Sequence, residues 1–307
     1  MNYRPDHPRV AADLNNLTLL LQATNRLGEA EPLVRRALAI DEVTYGPDHP
    51  NIATRLNNLA QLLQVTNRLD EAEPLMRRAL VIDEASYGPD HPRVAIHLNN
   101  LAQMLQATDR LGQAEPLMQR ALTIDEANYG PDHPRVATRL NNLASLLHLT
   151  NRLTEAESLM RRALTISEAN YGPDHPNVAT RLNNLAQLLQ ATNRLDEAEP
   201  LMRRALVIDE VSYGLDHPRV AGHLNNLALL FHHTNRLAEA EPLMRRALLI
   251  LLAFTRATGH IHFHLKQQYG NYRGLLQAMD LGDEEVGRRL LSLREDTRLT
   301  RGRIDDC

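Results

Sequence analysis

A six-residue string recurs along this chain at a constant spacing of 42 residues. Tyr-Gly-Pro-Asp-His-Pro and its two close variants begin at Tyr3, Tyr45, Tyr87, Tyr129, Tyr171 and Tyr213. A second string, Leu-Asn-Asn-Leu, keeps the same spacing and begins at Leu14, Leu56, Leu98, Leu140, Leu182 and Leu224. Self-similarity at a fixed period of about 20 to 50 residues indicates a repeat architecture. The chain is therefore predicted to contain six copies of one structural unit.

Each copy contains two amphipathic helical patterns, which we call helix A and helix B. In the second copy, apolar residues including Ile52, Leu56 and Leu63 follow the spacing of one helical face, and a new series begins at Leu69 after a break at Asn67. The ends of the helices are also marked. Proline stands at the first position of helix A after an Asp-His pair that can cap it, and a glycine follows helix B, where a left-handed residue closes a helix.

Composition agrees with an all-α fold. Hydrophobic residues make up 43% of the sequence but aromatic residues only 4%, whereas strands draw on β-branched and aromatic side chains. Neither helix can bury its apolar face alone, so the helix pairs must stack in a solenoid. We predict six units over residues 1–257, at about 8–49, 50–91, 92–133, 134–175, 176–217 and 218–257.

The two ends of the array differ from the repeated part. Residues 258–296 are predicted to form a degenerate seventh repeat that caps the solenoid, with helices over 259–279 and 283–295. Residues 297–307 are expected to be a frayed tail. At the other end the sequence begins inside an inter-repeat loop at Tyr3, as though a preceding helix B were missing.

These motifs resemble the tetratricopeptide repeat (TPR). Leu56, Ala60, Leu69 and Ala79 match the large and small positions of that repeat. The 42-residue period and its strings are similar to the kinesin light chain type, which also occurs in bacterial signalling and adaptor proteins. The resemblance implies a right-handed TPR solenoid, an α–α superhelix in which helix A lines the concave surface. Asn67 stands at the A–B turn where the family has Gly, and Asn tolerates the left-handed conformation.

The residue pattern of helix A also predicts a candidate binding surface. On a helical wheel, the direction opposite the apolar face carries Thr54, Asn58, Gln61 and Val65, and the resemblance places these positions in the concave groove. A primary amide has donors and an acceptor, so it can pair with the backbone of an extended peptide without reading its side chains. The expected groove residues are Asn16, Asn58, Asn100, Asn142, Asn184, Asn226, Gln61, Gln103 and Gln187.

Two roles are open for the paired asparagines and two for the nearby arginines. The first asparagine of a pair, such as Asn57, can bond a neighbouring helix and set the repeat spacing, whereas the second, Asn58, can bind peptide. Arg55, Arg139 and Arg181 are expected at the groove rim. Kinesin light chains recognise short acidic peptides that contain an aromatic residue. The rim arginines either serve such a ligand or belong to ordinary solvated surface.

No pattern in the sequence predicts catalysis or a cofactor. The chain lacks a nucleophile elbow, a phosphate-binding glycine loop and a His-Glu-x-x-His motif, and its one cysteine is Cys307. The repeated Asp-His pairs supply too few ligands per site for zinc. His260, His262 and His264 are the candidates for a metal site, but the same stretch resembles the terminal-cap loop of related arrays, and we predict no metal.

Charge and hydropathy exclude other classes of partner. A net charge of -4 and a pI near 6.4 offer no basic face for nucleic acid. The first residues lack the basic and apolar parts of a signal peptide, and the longest apolar run is far shorter than the roughly 20 residues that span a bilayer. We expect a soluble, cytoplasmic protein that binds neither nucleic acid nor membrane.

The sequence leaves two functions open. The first is a non-catalytic protein–protein interaction scaffold that binds an extended peptide segment of a partner along the groove. The second is a structural or regulatory array of a larger signalling protein, which spaces domains or self-associates through its open N-terminal end. Leu19, Leu20 and Leu21 follow one another in the first helix A, and we expect this helix to bind a second copy or an upstream domain.

Removal of one full period should leave the fold intact. Because each unit contacts only its neighbours, deletion of residues 92–133 joins two equivalent positions and should give a shorter array that still unfolds cooperatively. Circular dichroism during a urea titration measures this. Deletion of only the first half of that period is the control and should abolish cooperative unfolding. Equal behaviour of the two deletants would contradict the repeat prediction.

Overall fold

The computed structural model describes residues 7–23 and 26–296, and within them the chain forms fourteen α-helices and no β-strand. Six A helices begin at the expected proline: α1 (Pro8–Ala23), α3 (Pro50–Val65), α5 (Pro92–Ala107), α7 (Pro134–Leu149), α9 (Pro176–Ala191) and α11 (Pro218–His233). Six B helices alternate with them: α2 (Leu27–Tyr45), α4 (Leu69–Tyr87), α6 (Leu111–Tyr129), α8 (Leu153–Tyr171), α10 (Leu195–Tyr213) and α12 (Leu237–Thr258). The last pair is α13 (Leu265–Ala278) and α14 (Asp283–Asp296). The all-α prediction is confirmed.

Two compact units make up the chain, Met1–Ile166 and Ser167–Cys307, and the division falls inside α8. In the first unit, α1 to α7 pack consecutively, each helix against the next one along the chain. In the second unit, α9 to α14 pack in the same way. Each unit is thus a stretch of the stacked helix pairs that the repeat predicts. Among the helices of the described ranges, none combines the length and the apolar character needed to cross a membrane.

Apolar side chains from neighbouring helices form one buried cluster per repeat in the first unit. Ile52 and Leu56 of α3 pack with Ala79 and Ile82 of α4, and Leu38 of the preceding α2 packs against them. The clusters one and two periods later consist of Val94, Ala95, Leu98, Ala121 and Ile124, and of Val136, Ala137, Leu140, Ala163 and Ile166. Because each cluster also contacts a residue of the preceding repeat, the core continues from one repeat to the next.

In each of the second to sixth repeats, two backbone positions have positive φ. At the A–B turns, Asn67 has φ 58°, and the equivalent residues lie between 58° and 60°: Asp109, Asn151, Asn193 and Asn235. This confirms that Asn and Asp supply the left-handed turn. Gly88, after α4, has φ 88° and ψ 159°. That extended conformation is accessible to glycine alone, and it differs from the left-handed helical closure that the sequence predicts.

Histidine caps the A helices. His49 Nδ1 accepts a hydrogen bond from the backbone N–H of Asn51 at 3.2 Å, and the same bond recurs at His91, His133, His175 and His217. The capping ring stacks on the tyrosine of the same string, with 4.8 Å between the ring centroids of His49 and Tyr45. Nδ1 can accept only when it carries no proton, so the cap requires the neutral ring protonated on Nε2.

The helices after the last full repeat depart from the predicted boundaries. α12 continues through Thr258, and Gly259 closes it in the left-handed region with φ 73°. α13 begins at Leu265, so the helix predicted over residues 259–279 starts later, after a short connection that contains the three clustered histidines. The predictions for Tyr3 and for the tail at residues 297–307 lie outside the described residues.

Replacement of one cap should lower stability. His91→Ala removes the acceptor for the Arg93 N–H, and the free energy of unfolding should fall by about 1 kcal/mol. His91→Asn keeps an acceptor at the same place and should recover most of this loss, although it gives up the stacking on Tyr87. Urea titrations of the three proteins make the comparison. An alanine variant as stable as the unmodified chain would show that the cap contributes nothing.

Candidate functional site

The exposed side of the A helices carries most of the predicted binding residues. In the first unit we define the A-helix face as Thr54, Asn58, Gln61 and Val65 of α3, Ile96, Asn100, Gln103 and Ala107 of α5, and Thr138, Asn142, Ser145 and Leu149 of α7. The glutamines are exposed and the asparagines half-buried. In the second unit, Asn184 and Asn226 are half-buried and Gln187 is exposed at the equivalent positions. Asn16 of α1 is exposed.

A ladder of side-chain amides connects consecutive A helices. Asn100 Nδ2 donates to Asn57 Oδ1 at 2.8 Å, which joins α5 to α3. Equivalent bonds of 2.9 to 3.1 Å join Asn58 to Asn15, Asn142 to Asn99, Asn226 to Asn183 and Asn271 to Asn225. The first asparagine is buried in every pair from Asn57 onward, and Asn15 of α1 is half-buried. Both asparagines therefore connect repeats, the first as acceptor and the second as donor.

The ladder leaves hydrogen-bonding groups on the second asparagine. A primary amide has two N–H donors and one carbonyl oxygen, and the bond from Asn100 to Asn57 uses a single donor. The same bond fixes the amides of Asn58 and Asn142. Successive half-buried asparagines thus present their remaining donor and oxygen in the same orientation.

A cleft of about 350 Å³ opens on the A-helix face between α5 and α7. Its lining combines polar side chains with two apolar ones: Gln103, Gln106, Ala107, Asn142, Ser145 and Leu149. Gln103 and Asn142 belong to the predicted groove. Leu149 is 57% exposed, so the cleft places uncovered apolar surface beside amide and hydroxyl groups.

Two of the three arginines predicted at the groove rim lie inside repeat junctions instead. Arg55 Nε donates to Asp41 Oδ2 at 2.7 Å, and Arg139 Nε donates to Asp125 Oδ2 at 2.8 Å. The side chain of Arg139 is only 9% exposed. These pairs join a B helix to the A helix that follows, so Arg55 and Arg139 do not face a ligand in the groove. The rim assignment is corrected, because the preceding repeat covers the flank of helix A that carries them.

In two repeats a histidine stands at the position of Arg55 and Arg139. An arginine from the first turn of the same A helix then also contacts the buried aspartate. His97 Nε2 lies 3.0 Å from Asp83 Oδ2, and Arg93 Nε donates to the same oxygen at 3.0 Å. The second unit repeats the arrangement with His223, Arg219 and Asp209. Burial raises the pKa of Asp83, but the hydrogen bonds from His97 and Arg93 outweigh it and hold the pKa below 3.8. Sequence reasoning missed these aspartates, although an Asp stands 14 residues before each such Arg or His.

Among the five junctions between the six full repeats, one has no acidic residue at this position. Residue 167 is Ser, where the other four have Asp41, Asp83, Asp125 and Asp209. Arg181, the third arginine predicted at the rim, follows Ser167 at the spacing that separates Arg139 from Asp125. Burial lowers the pKa of Arg181, and the electrostatic interaction with Tyr171 opposes this only in part.

The three histidines considered for metal binding lie in the connection between α12 and α13. The ring of His262 stacks on Phe263 at 4.6 Å between centroids and lies 5.7 Å from the ring of His264. Burial lowers the pKa of both His262 and His264, and repulsion by His264 adds to the effect on His262. Within residues 7–23 and 26–296, no group of three or more His, Cys, Asp or Glu side chains, His260 included, is arranged to hold a metal ion.

The first helix exposes apolar side chains that the next A helix buries. Leu20 of α1 is 61% exposed, whereas its equivalent in α3, Leu62, is 1% exposed beneath the preceding repeat. Leu17 and Leu19 are also exposed. Leu21 is buried, so two of the three successive leucines named from the sequence contribute to this surface.

The Asp83 pair should make stability depend on pH. Because the pKa of Asp83 in the folded protein lies below its ordinary 3.8, the ionised carboxylate stabilises the fold. That contribution is fully present above 3.8 and is lost as the pH falls through the lower folded value. Asp83→Asn should lower the free energy of unfolding at neutral pH by about 2 kcal/mol and flatten this part of the profile. Parallel profiles of the two proteins, measured by urea titration, would contradict the assignment.

A double-mutant cycle measures the amide ladder. Asn57→Ala and Asn100→Ala each remove the same bond, so their effects on the free energy of unfolding should fall short of additivity by about 0.5 to 1.5 kcal/mol. Asn57→Ala with Asn142→Ala is the matched control, because Asn142 bonds Asn99 instead. Additive effects in both cycles would show that the ladder bond does not stabilise the fold.

Comparisons with known proteins agree with this architecture. The family model described as Tetratricopeptide repeat matches residues 10–85, 53–127, 93–169, 140–210 and 182–252. A Podosopora anserina structure of kinesin light chain type, with nearly identical TPR-like repeats, is similar at a TM-score of 0.56 and 22% identity over 67% of this chain and 98% of that one. BtubC (BKLC) from P. vanneervenii is similar at a TM-score of 0.58 and 22% identity, covering 83% and 92%. No curated protein matches the sequence.

At these identities the solved structures support the fold, and the family model extends over most of the chain. Its five matches together span residues 10–252, which include the first six helix pairs almost completely. The same stretch has the constant period and the left-handed Asn or Asp at each described A–B turn after the first. The chain belongs to the tetratricopeptide repeat family.

Proposed function

We propose that this chain is a non-catalytic protein–protein interaction scaffold that binds an extended segment of a partner along the A-helix face. TPR repeats generally mediate interactions between proteins. The observation that carries the proposal is the row of identically held, half-buried asparagines, since each keeps a donor and an acceptor for a peptide backbone. The proposed role needs no cofactor, metal, nucleic acid or membrane, and we place it in the cytoplasm.

The spacing of the repeats suits an extended ligand. Packed helices lie about 10 Å apart, and an extended chain advances about 3.3 Å per residue. Successive asparagines on the A-helix face would therefore meet every third residue or so of the segment. A partner segment of about ten residues would reach across four A helices.

Substitution of the exposed glutamines tests the proposal without disturbing the asparagine ladder. Peptides of about ten residues are selected from a random displayed library against the full chain. The dissociation constant of an enriched peptide is then measured for the unmodified chain and for a variant that carries Gln61→Arg, Gln103→Arg and Gln187→Arg. We expect binding to weaken at least about tenfold, because bulky cations then occupy the face.

A matched control lies on α6, away from the A-helix face. Gln119 occupies a position where other repeats have arginine, namely Arg77, Arg161 and Arg203. Gln119→Arg should therefore leave both stability and peptide affinity unchanged. If it weakens binding as much as the triple variant, or if the triple variant binds normally, the segment does not lie on the A-helix face.

The exposed flank of α1 favours a second candidate function, a structural or regulatory array that self-associates or receives an upstream domain. An exposed apolar patch of this kind marks an interface in many proteins. Sedimentation at several concentrations tests the homodimer. Dissociation of a dimer by Leu20→Glu, but not by Val81→Glu on the exposed side of α4, would support it. A monomer at every concentration would remove it.

A further inference from the structure

The A-helix face of the first unit has no charged side chain. Its twelve residues carry amide, hydroxyl and apolar side chains. The acidic residues of the three junctions before α3, α5 and α7, namely Asp41, Asp83 and Asp125, are buried. A ligand lying along α3, α5 and α7 would therefore meet neither an attractive nor a repulsive charge on these twelve residues.

The arginines of α3, α5 and α7 each contact a side chain outside this face. Arg55 and Arg139 pair with buried aspartates. Arg93 donates to Asp83 and, at 2.9 Å, to the hydroxyl of Thr54 at one edge of the face. Arg135, near the start of α7, stacks over Tyr129 at the end of α6.

Arg135 is the most exposed of these arginines. Its guanidinium carbon lies 5.1 Å from the ring centroid of Tyr129. Arg135 precedes Asn142 and Ser145, the polar cleft residues on the same helix, by seven and ten residues, which correspond to about 10 and 15 Å along the axis. These distances reach or exceed the Debye length of about 8 to 10 Å, so salt screens most of its field at the cleft.

The same cleft offers apolar surface at one end and polar groups at the other. Ala107 and Leu149 occupy equivalent positions on α5 and α7, and Gln103, Asn142 and Ser145 lie beside them. The cleft has a volume of about 350 Å³. An apolar side chain seated in it would cover Leu149, which is otherwise 57% exposed.

We propose that the α5–α7 cleft receives one apolar side chain of an uncharged segment, while the amides beside it hold the segment's backbone. The inference rests on the proposed function and names the class of ligand. The partner segment is aliphatic or aromatic at the anchor and carries no acidic residues next to it. It thereby differs from the acidic peptides that the resemblance to kinesin light chains implies.

The selected peptides test this directly. We expect enriched sequences to share an apolar residue flanked by uncharged ones, and their dissociation constants to change by less than about twofold between roughly 0.05 M and 0.5 M salt. Leu149→Glu should weaken their binding at least about tenfold. Val81→Glu, which adds the same charge at an exposed position of α4, should leave it unchanged.

A cation introduced at the cleft should change which peptides the chain selects. Leu149→Arg places a cation at the cleft, and selection against this variant should enrich acidic residues near the anchor. Acidic peptides selected by the unmodified chain, or affinities that fall steeply with salt, would overturn the inference while the scaffold function stands. Peptides that bind but ignore the three Gln→Arg changes would overturn the scaffold function on the A-helix face. A selection that enriches nothing would overturn both.

Discussion

Neither helix of a repeat can bury its apolar face alone, and burial against the neighbouring repeat is the constraint on which the rest of this structure depends. Alanine makes the close approach possible: Ala53 and Ala79 are fully buried in a cluster that Leu38 of the preceding repeat completes. Apolar burial of about 25 cal/mol per Å² drives this stacking. Every junction that buries apolar surface also covers polar groups, however, and these must find partners there.

Three kinds of contact satisfy these polar groups, and they differ in how far they are buried. The asparagine ladder joins A helices, and the Asp–Arg or Asp–His pair lies buried between a B helix and the next A helix. On the outer side, Arg78 reaches Glu42 at 2.9 Å and the backbone oxygen of Pro47 at 2.8 Å. Exposed ion pairs contribute little, whereas a buried charge without its partner is costly. The ladder and the buried pairs therefore do more than the outer arginines to fix one repeat against the next.

Features that depend on local sequence could be predicted, and features that depend on a neighbouring repeat could not. The helix pairs, the turn at Asn67 and the cap before Pro50 follow from rules that act within a few residues. A helical wheel distinguishes only a buried and an exposed direction, whereas helix A in the array has a third direction, the flank beneath the preceding repeat. Arg55 lies on that flank, so its pair with Asp41 could not be predicted from the wheel. The sequence suggested that Asn57 bonds a neighbouring helix, but it could not identify Asn100, 43 residues away, as the partner.

Repetition and selectivity impose opposite demands on a binding face. Identical amides in successive repeats hold a peptide backbone equally well in registers that differ by one repeat, so they supply affinity without choosing a sequence. A preference can arise only where the repeats differ. On the A-helix face, Ile96 stands between Thr54 and Thr138, Ser145 replaces the glutamine of α3 and α5, and the last position changes from Val65 to Ala107 to Leu149. The differences at Ser145, Ala107 and Leu149 fall in the α5–α7 cleft, so an anchoring side chain that fits there fixes the register of a backbone that the amide ladder alone would leave degenerate.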